Sequence, residues 1–162
     1  SRGLGDVYKR QDKTLHAIRS GFTLSQFEQA VTDLHKRNIP VITHLILGLP
    51  GETKEDMLSS VRYVGSLPVT GIKLQLLHIL KGTDLGTAYM ADPFPLFTLE
   101  EYCDLIADCI ALLPPEIVIH RLTGDGPRNL LLAPLWSTDK KRVLNTIQKC
   151  LRERDLWQGK NI

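Results

Sequence analysis

The sequence predicts an α/β fold, parallel strands with covering helices, and three observations carry that prediction. Two β-branched or leucine-rich runs, 41–47 and 71–79, each end in a polar loop containing glycine. A helical pattern precedes the first run and follows both, which is the rhythm of β-α-β crossovers. Both runs are continuous rather than cleanly alternating, as strands covered by helices tend to be.

From the N-terminus, residues 1–11 suit no cap, strand or turn, and Asp6-Val7-Tyr8-Lys9-Arg10-Gln11 resembles a translated sequencing adapter. We read 1–11 as a disordered scar, with more natural chain expected upstream; no apolar stretch follows the basic residues, so it is not a secretory leader. The whole chain holds 20 Lys and Arg against 18 Asp and Glu. Setting aside Arg2, Lys9, Arg10 and Asp6 leaves the two signs equal, so charge points to neither nucleic acid nor anionic membrane. The 162 residues suit one domain or a large piece of one. No run reaches the roughly 18 apolar residues of a membrane span.

Asp12 to Ser20 predicts a short helix closed by Gly21. The next helix carries Leu24, Phe27, Ala30, Val31 and Leu34 at helical spacing, with Thr23 and Gln26 as a capping box. Asn38 and Pro40 stop it ahead of strand 41–47. Thr53 caps a helix striped by Met57, Leu58, Val61 and Val64, which Leu67-Pro68 ends before strand 71–79. A short helix over 84–91 runs into Pro93 and Pro95. Thr98 and Glu101 then cap a helix with Leu99, Tyr102, Cys103, Ile106, Cys109, Ile110 and Leu113 on one side. Pro114-Pro115 breaks it, Ile117-Val118-Ile119 reads as a third strand, and 123–134 is rich in turn residues. A last helix spans about 138–154, with Val143, Ile147, Cys150 and Leu151 on one face. The three cysteines fall on apolar stripes without metal-ligand spacing, so they read as core residues in a reducing, cytoplasmic protein.

Strand alternation sorts the candidate site residues. His44 and Ile46 share a face with Ile42; Lys73 and Gln75 share one with Leu77, opposite the aliphatic Ile72, Leu74 and Leu76. The polar face is expected to meet a ligand, although an edge strand with a solvated lysine also accounts for Lys73. Gly48, Pro50 and Gly51 make the first strand's terminal loop, where backbone can approach a ligand beside a helix N-terminus. The loop lacks the lysine of a phosphate-binding P-loop. His78, Lys81, His120 and Arg121 stand at strand mouths, with Asp125 and Arg128 nearby; Thr83 or Asp84 as a simple helix cap remains the plainer reading of the Lys81 loop. His16 and His35 fall on helices and read as surface or packing residues.

The segments Asp12-Lys13-Thr14-Leu15, His44 to Glu52, Gly71 to Thr83, Pro114-Pro115-Glu116, His120-Arg121 and Leu132 to Trp136 together resemble the radical S-adenosylmethionine (SAM) superfamily. The resemblance is to its YhcC-like group, related to the Elongator catalytic subunit, and runs from Asp12 to about Leu156. It implies the C-terminal portion of a partial (β/α)6 barrel, with later β/α units over 12–122 and a C-terminal extension over 123–162. It also implies SAM and a [4Fe–4S] cluster as cofactors of the parent protein, where an electron from the cluster cleaves SAM and the resulting radical abstracts hydrogen. Under that resemblance strand 41–47 is the fifth barrel strand and 71–79 the sixth. His44, Ile46, Gly48, Pro50, Gly51, Leu77 and His78 then lie at the cofactor, and Lys73, Gln75, Lys81, His120 and Arg121 are catalytic candidates. No metal ligand is expected in this chain, because the cluster cysteines would lie upstream of Asp12. His44 stands where many members have glycine, and Phe22 where the group often has histidine. The implied partners are a reductant for the cluster and a substrate that the residues do not identify, for which family analogy alone offers tRNA or other RNA; no membrane partner is expected.

Two other readings fit the residues. A Schiff-base barrel would use Lys73 or Lys81 as its amine. A non-catalytic α/β interaction module would dock through an exposed patch of Phe94, Leu96, Phe97 and Trp136.

Overall fold

A computed structural model describes residues 23–124 and 126–162. The expectations for 1–11, the helix over 12–20, Gly21, Phe22, His16 and Asp125 lie outside the described residues.

Among the described residues, the predicted helix starts are made by their own caps. Helix α1 (Leu24–Lys36) opens on Thr23 and Gln26, α2 (Lys54–Gly65) on Thr53 and Asp56, and α4 (Leu99–Ala111) on Thr98 and Glu101, all as reciprocal capping boxes. The short α3 (Asp84–Ala91) opens on Thr83, whose hydroxyl accepts from the Gly86 N–H at 2.9 Å. The capping account of the Lys81 loop therefore holds. Helix α5 (Lys140–Glu153) follows a 3-10 turn at Leu135–Thr138.

Strands β1 (Ile42–Leu47), β2 (Gly71–Leu76) and β4 (Val118–Arg121) form a parallel sheet in the order β1-β2-β4. The central position of β2 removes the edge-strand account of Lys73. Three expectations need correction. The run 71–79 does not continue as one strand: Leu77 turns away with its N–H on the Leu47 carbonyl at 2.9 Å, and β3 (Ile79–Leu80) joins another sheet. Its partner is β5 (Leu131–Ala133), antiparallel, inside the stretch read as turns. The third parallel strand covers 118–121 rather than 117–119, since Ile117 is still bonded back to the Pro114 carbonyl.

One sheet face is sealed. Leu45, Leu47, Ile72 and Leu74 pack with Met57, Val61 and Val64 of α2, Tyr102, Cys103, Ile106 and Cys109 of α4, and Val143 and Ile147 of α5 in a single core. Tyr102 is fully buried and donates to the Leu122 carbonyl at 3.0 Å. The chain end closes the lower side: the Gln158 amide donates to the Pro114 and Ile117 carbonyls, both at 2.7 Å. A smaller cluster of Leu49, Leu77 and Ile79, with Phe94 and Leu96 packed on it, sits where β1 and β2 end. Cys103 and Cys109 are buried and Cys150 is half-buried, all in packing positions. Burial first, then the nearby Cys150 and Glu100, pushes the Cys103 thiol up to about 12.

Candidate functional site

The opposite face of the sheet is half-exposed: Ile42, His44 and Ile46 on β1 and Lys73 and Gln75 on β2. Parallel register puts His44 beside Lys73 and Ile46 beside Gln75. The Gln75 amide lies 3.2 Å from His44 Nδ1. The two side chains are thus within hydrogen-bond reach of each other across β1 and β2. On β4 the register slips by one residue, so Ile72 faces Ile119 but Lys73 faces Arg121. His120 is the extra residue of this bulge, and bulges re-aim side chains. Its ring lies over Gly71, where an added Cβ would come within 2.6 Å of it. That close approach is why β2 begins with glycine.

The Gly48–Glu52 loop lies at the end of β1. Gly48 has φ +87° and Gly51 φ +80°, values that favour glycine. The Gly48 N–H points to Met57 Sδ at 3.2 Å, and the Phe97 ring occupies the space a Cβ there would take, 3.0 Å away. Nothing stands within 4 Å of a Cβ added at Gly51. A cleft of about 570 Å³ opens along this loop, floored by Leu77, Leu96, Phe97 and Leu105 and rimmed by Glu52 and Glu101. Backbone bonds of Thr98 hold the Glu101 carboxyl below its usual value.

The remaining candidates follow the chain away from the sheet. Leu77 is buried in the smaller cluster rather than facing outward with Gln75. His78 accepts from the Gly126 N–H at Nδ1, 3.2 Å, and lies against both Gly124 and Gly126, where a side chain would collide with its ring. Lys81 is in an exposed turn, its N–H on the Leu130 carbonyl at 2.8 Å. The expected exposed patch is absent as such: Phe94 and Leu96 are half-buried, Phe94 meets Tyr89 edge-on at 5.1 Å, and Trp136 Nε1 donates to the Phe97 carbonyl at 3.0 Å.

Behind the sheet an ion-pair network ties three helices. Lys54 Nζ lies 2.6 Å from Asp108 and 3.2 Å from Asp104, and Arg154 forks onto both carboxylates at 2.5 Å. Burial works against the ionised Asp108, but the bonds from Lys54 and Arg154 outweigh it and hold the carboxyl below its ordinary value. Sequence reasoning missed this network and the His78 contacts, because both join residues far apart in the chain. The β4 bulge left no sequence signal.

A family model described as the Radical_SAM C-terminal domain matches residues 69–153, slightly more than half the chain. The chain belongs to that family. It is 37% identical over 158 residues to YtqA of Bacillus subtilis, covering 98% of this chain and 48% of that one. It is 34% identical over 142 residues to YhcC of Escherichia coli K12, covering 88% and 46%. The chain thus spans about half the length of these curated relatives. The solved structure of the archaeal Methanocaldococcus infernus Elp3 with an N-terminal deletion shares the fold, with a TM-score of 0.78 at 17% identity over 96% of this chain and 36% of that one. Within the radical SAM family the chain falls with the YhcC-like relatives.

Family membership implies SAM and an iron–sulfur cluster as cofactors of the parent protein. Among the described residues, no group of three or more His, Cys, Asp or Glu side chains is placed to hold a metal ion, and the cysteines are taken up in packing. These residues do not fit a cluster. No helix among them is long and apolar enough to cross a membrane.

Proposed function

We propose that this chain is the later part of a partial (β/α)6 radical SAM barrel and forms the adenine side of the SAM pocket. The observation that carries the reading is the asymmetry of the sheet. One face is sealed by helices, while the other offers His44, Ile46, Lys73 and Gln75 in register beside a glycine loop. An apolar wall with a few placed polar groups suits a nucleoside. Ile46 offers a surface for the flat base, and the Gly48–Gly51 backbone lies at its edge. Gln75, 3.2 Å from His44 Nδ1, orients the imidazole. SAM held there supplies the hydrogen-abstracting chemistry once reduced, and 123–162 acts as the C-terminal extension of the barrel.

In this proposal the cluster ligands come from the remainder of the parent protein, because the chain spans only about half the length of its curated relatives, and this chain alone is expected to be inactive. Kinship with the Elongator-related group extends the proposal to tRNA or another RNA as substrate partner, a reductant for the cluster, and a cytoplasmic location.

Photolabelling with 8-azido-adenosine tests the pocket without needing the cluster. Saturable label between His44 and Gly51, competed by SAM, is the expected outcome. Label confined to the α5 surface, or indifferent to SAM, removes the pocket. Sequencing the gene upstream of Asp12 tests the rest, since three closely spaced cysteines ending in C-x-x-C are expected there.

A further inference from the structure

We propose that the outer face of α5 is a binding surface for the sugar–phosphate backbone of double-stranded RNA. The inference deepens the preceding reading by giving its RNA partner a surface, and rests on that reading for nothing else.

The near balance of the whole chain, 20 Lys and Arg against 18 Asp and Glu, hides a local segregation. Helix α5 carries five cations and one carboxylate, while α4, packed against it, carries four carboxylates and no cation. At 3.6 residues per turn, Lys141, Arg142, Asn145, Gln148, Lys149 and Arg152 fall within about a third of the circumference of α5. All six are exposed, on the side away from the buried Val143 and Ile147. This stripe does not answer the carboxylates of α4, because Asp104 and Asp108 are met by Lys54 and by Arg154 beyond the end of α5. No carboxylate interrupts the stripe. Asp139 is taken up as the cap on the Arg142 N–H at 3.0 Å, and Glu153 stands at the edge, 3.7 Å from Lys149. The side chains of Lys141, Arg142 and Arg152 make no ion pair or hydrogen bond among the described residues.

A merely solvated helix face mixes both signs, as on α2, where Glu55 meets Arg62 at 2.7 Å. A row of one sign is the footprint of a polyanion. From Lys141 to Arg152 the row runs about 16 Å at 1.5 Å per residue. A double helix presents a phosphate charge about every 1.7 Å of its axis, so the row meets several at once. An acidic protein would have to hold its carboxylates in a matching line. The stripe contains no aromatic or aliphatic side chain, so it can neither stack unpaired bases nor enter a lipid surface. Asn145 and Gln148, set among the cations, offer donors and acceptors to ribose 2′-hydroxyls, which DNA lacks. An open hollow of about 460 Å³ along Lys141, Arg142, Asn145 and Lys149 admits the backbone.

The test is fluorescence anisotropy of a labelled, mixed-sequence RNA duplex titrated with the chain over a range of salt. Saturable, salt-sensitive binding is expected. Lys141→Gln, Arg142→Gln and Arg152→Gln combined should weaken it by at least about tenfold and lower the slope of log affinity against log salt by about 2–3, one per lost phosphate contact. A matched neutralisation on other helices, Lys36→Gln, Arg37→Gln and Arg62→Gln combined, should leave both nearly unchanged. Asn145→Ala with Gln148→Ala should narrow the preference for RNA over a DNA duplex of the same sequence. Circular dichroism certifies that each variant folds. Absence of saturable binding, no loss in the α5 variant, or equal losses in the two triple variants overturns the surface. DNA bound as tightly as RNA by the unsubstituted chain, or single strands bound more tightly than the duplex, overturns the assignment to double-stranded RNA. Duplex binding without adenosine labelling keeps this surface and removes the SAM pocket; labelling without duplex binding does the reverse.

Discussion

Lys54 and Asp108 meet at 2.6 Å across the gap between α2 and α4, and Arg154 reaches the same carboxylate from beyond the end of α5. Asp108 is the least exposed member, with 17% of its side chain accessible. One carboxylate thus fastens three helices over the sealed face of the sheet.

Asp108→Asn should cost on the order of 1 kcal/mol at neutral pH, because its partners are largely solvent-exposed and screened. Asp108 is held below its ordinary value in the folded chain. Its contribution is therefore present above the unfolded-state carboxyl value and fades as pH falls through the lower folded value. Urea unfolding of both proteins at pH 7 and near pH 3 should show the difference at pH 7 and little of it in acid. An equal difference at both pH values would contradict the assignment.

Tyr102→Phe removes the hydroxyl that satisfies the Leu122 carbonyl. A loss of about 1 kcal/mol is expected, with the ring's packing kept. Denaturant midpoints measure it. No change would mean that water reaches the Leu122 carbonyl.

Alanine at Gly48 and at Gly51 meets different obstacles. Both positions have positive φ, but only Gly48 faces the Phe97 ring at 3.0 Å. Gly51→Ala should cost about 1–2 kcal/mol from backbone strain alone, and Gly48→Ala visibly more. Thermal unfolding of the pair decides, and equal losses would show that the ring yields freely.

Native alkylation with iodoacetamide should modify Cys150 and spare Cys103 and Cys109. Cys103 combines burial with a thiol pushed up to about 12, so little thiolate is present at pH 8, and Cys109 is fully buried. Mass spectrometry of peptides reads the pattern. Fast labelling of Cys103 would require the α4–α5 contact to open.

The elements written in local chemistry were legible. Thr23, Thr53 and Thr98 announce their helices because a cap is read within four residues, and the α4 stripe repeats every turn. Alternation separated His44, Lys73 and Gln75 from the aliphatic face correctly. The break after Leu76 was not legible, because Leu77 and Ile79 are as strand-forming as what precedes them; the Leu47 carbonyl and the β5 partner turn the chain aside. Likewise Arg121 was visible as a strand-end cation, but its level beside Lys73 depends on a one-residue slip in the pairing of β2 with β4. Phe97 against Gly48 joins two segments that sequence read as a loop and a possible docking patch.

The parallel pairing of β1, β2 and β4 also constrains how the chain is made. Each strand must wait for a partner that leaves the ribosome a whole crossover later, and the lid over the sheet waits for Val143 and Ile147 of α5. During synthesis the aliphatic strands Ile42–Leu47 and Gly71–Leu76 therefore spend time uncovered until the helices that seal them have emerged.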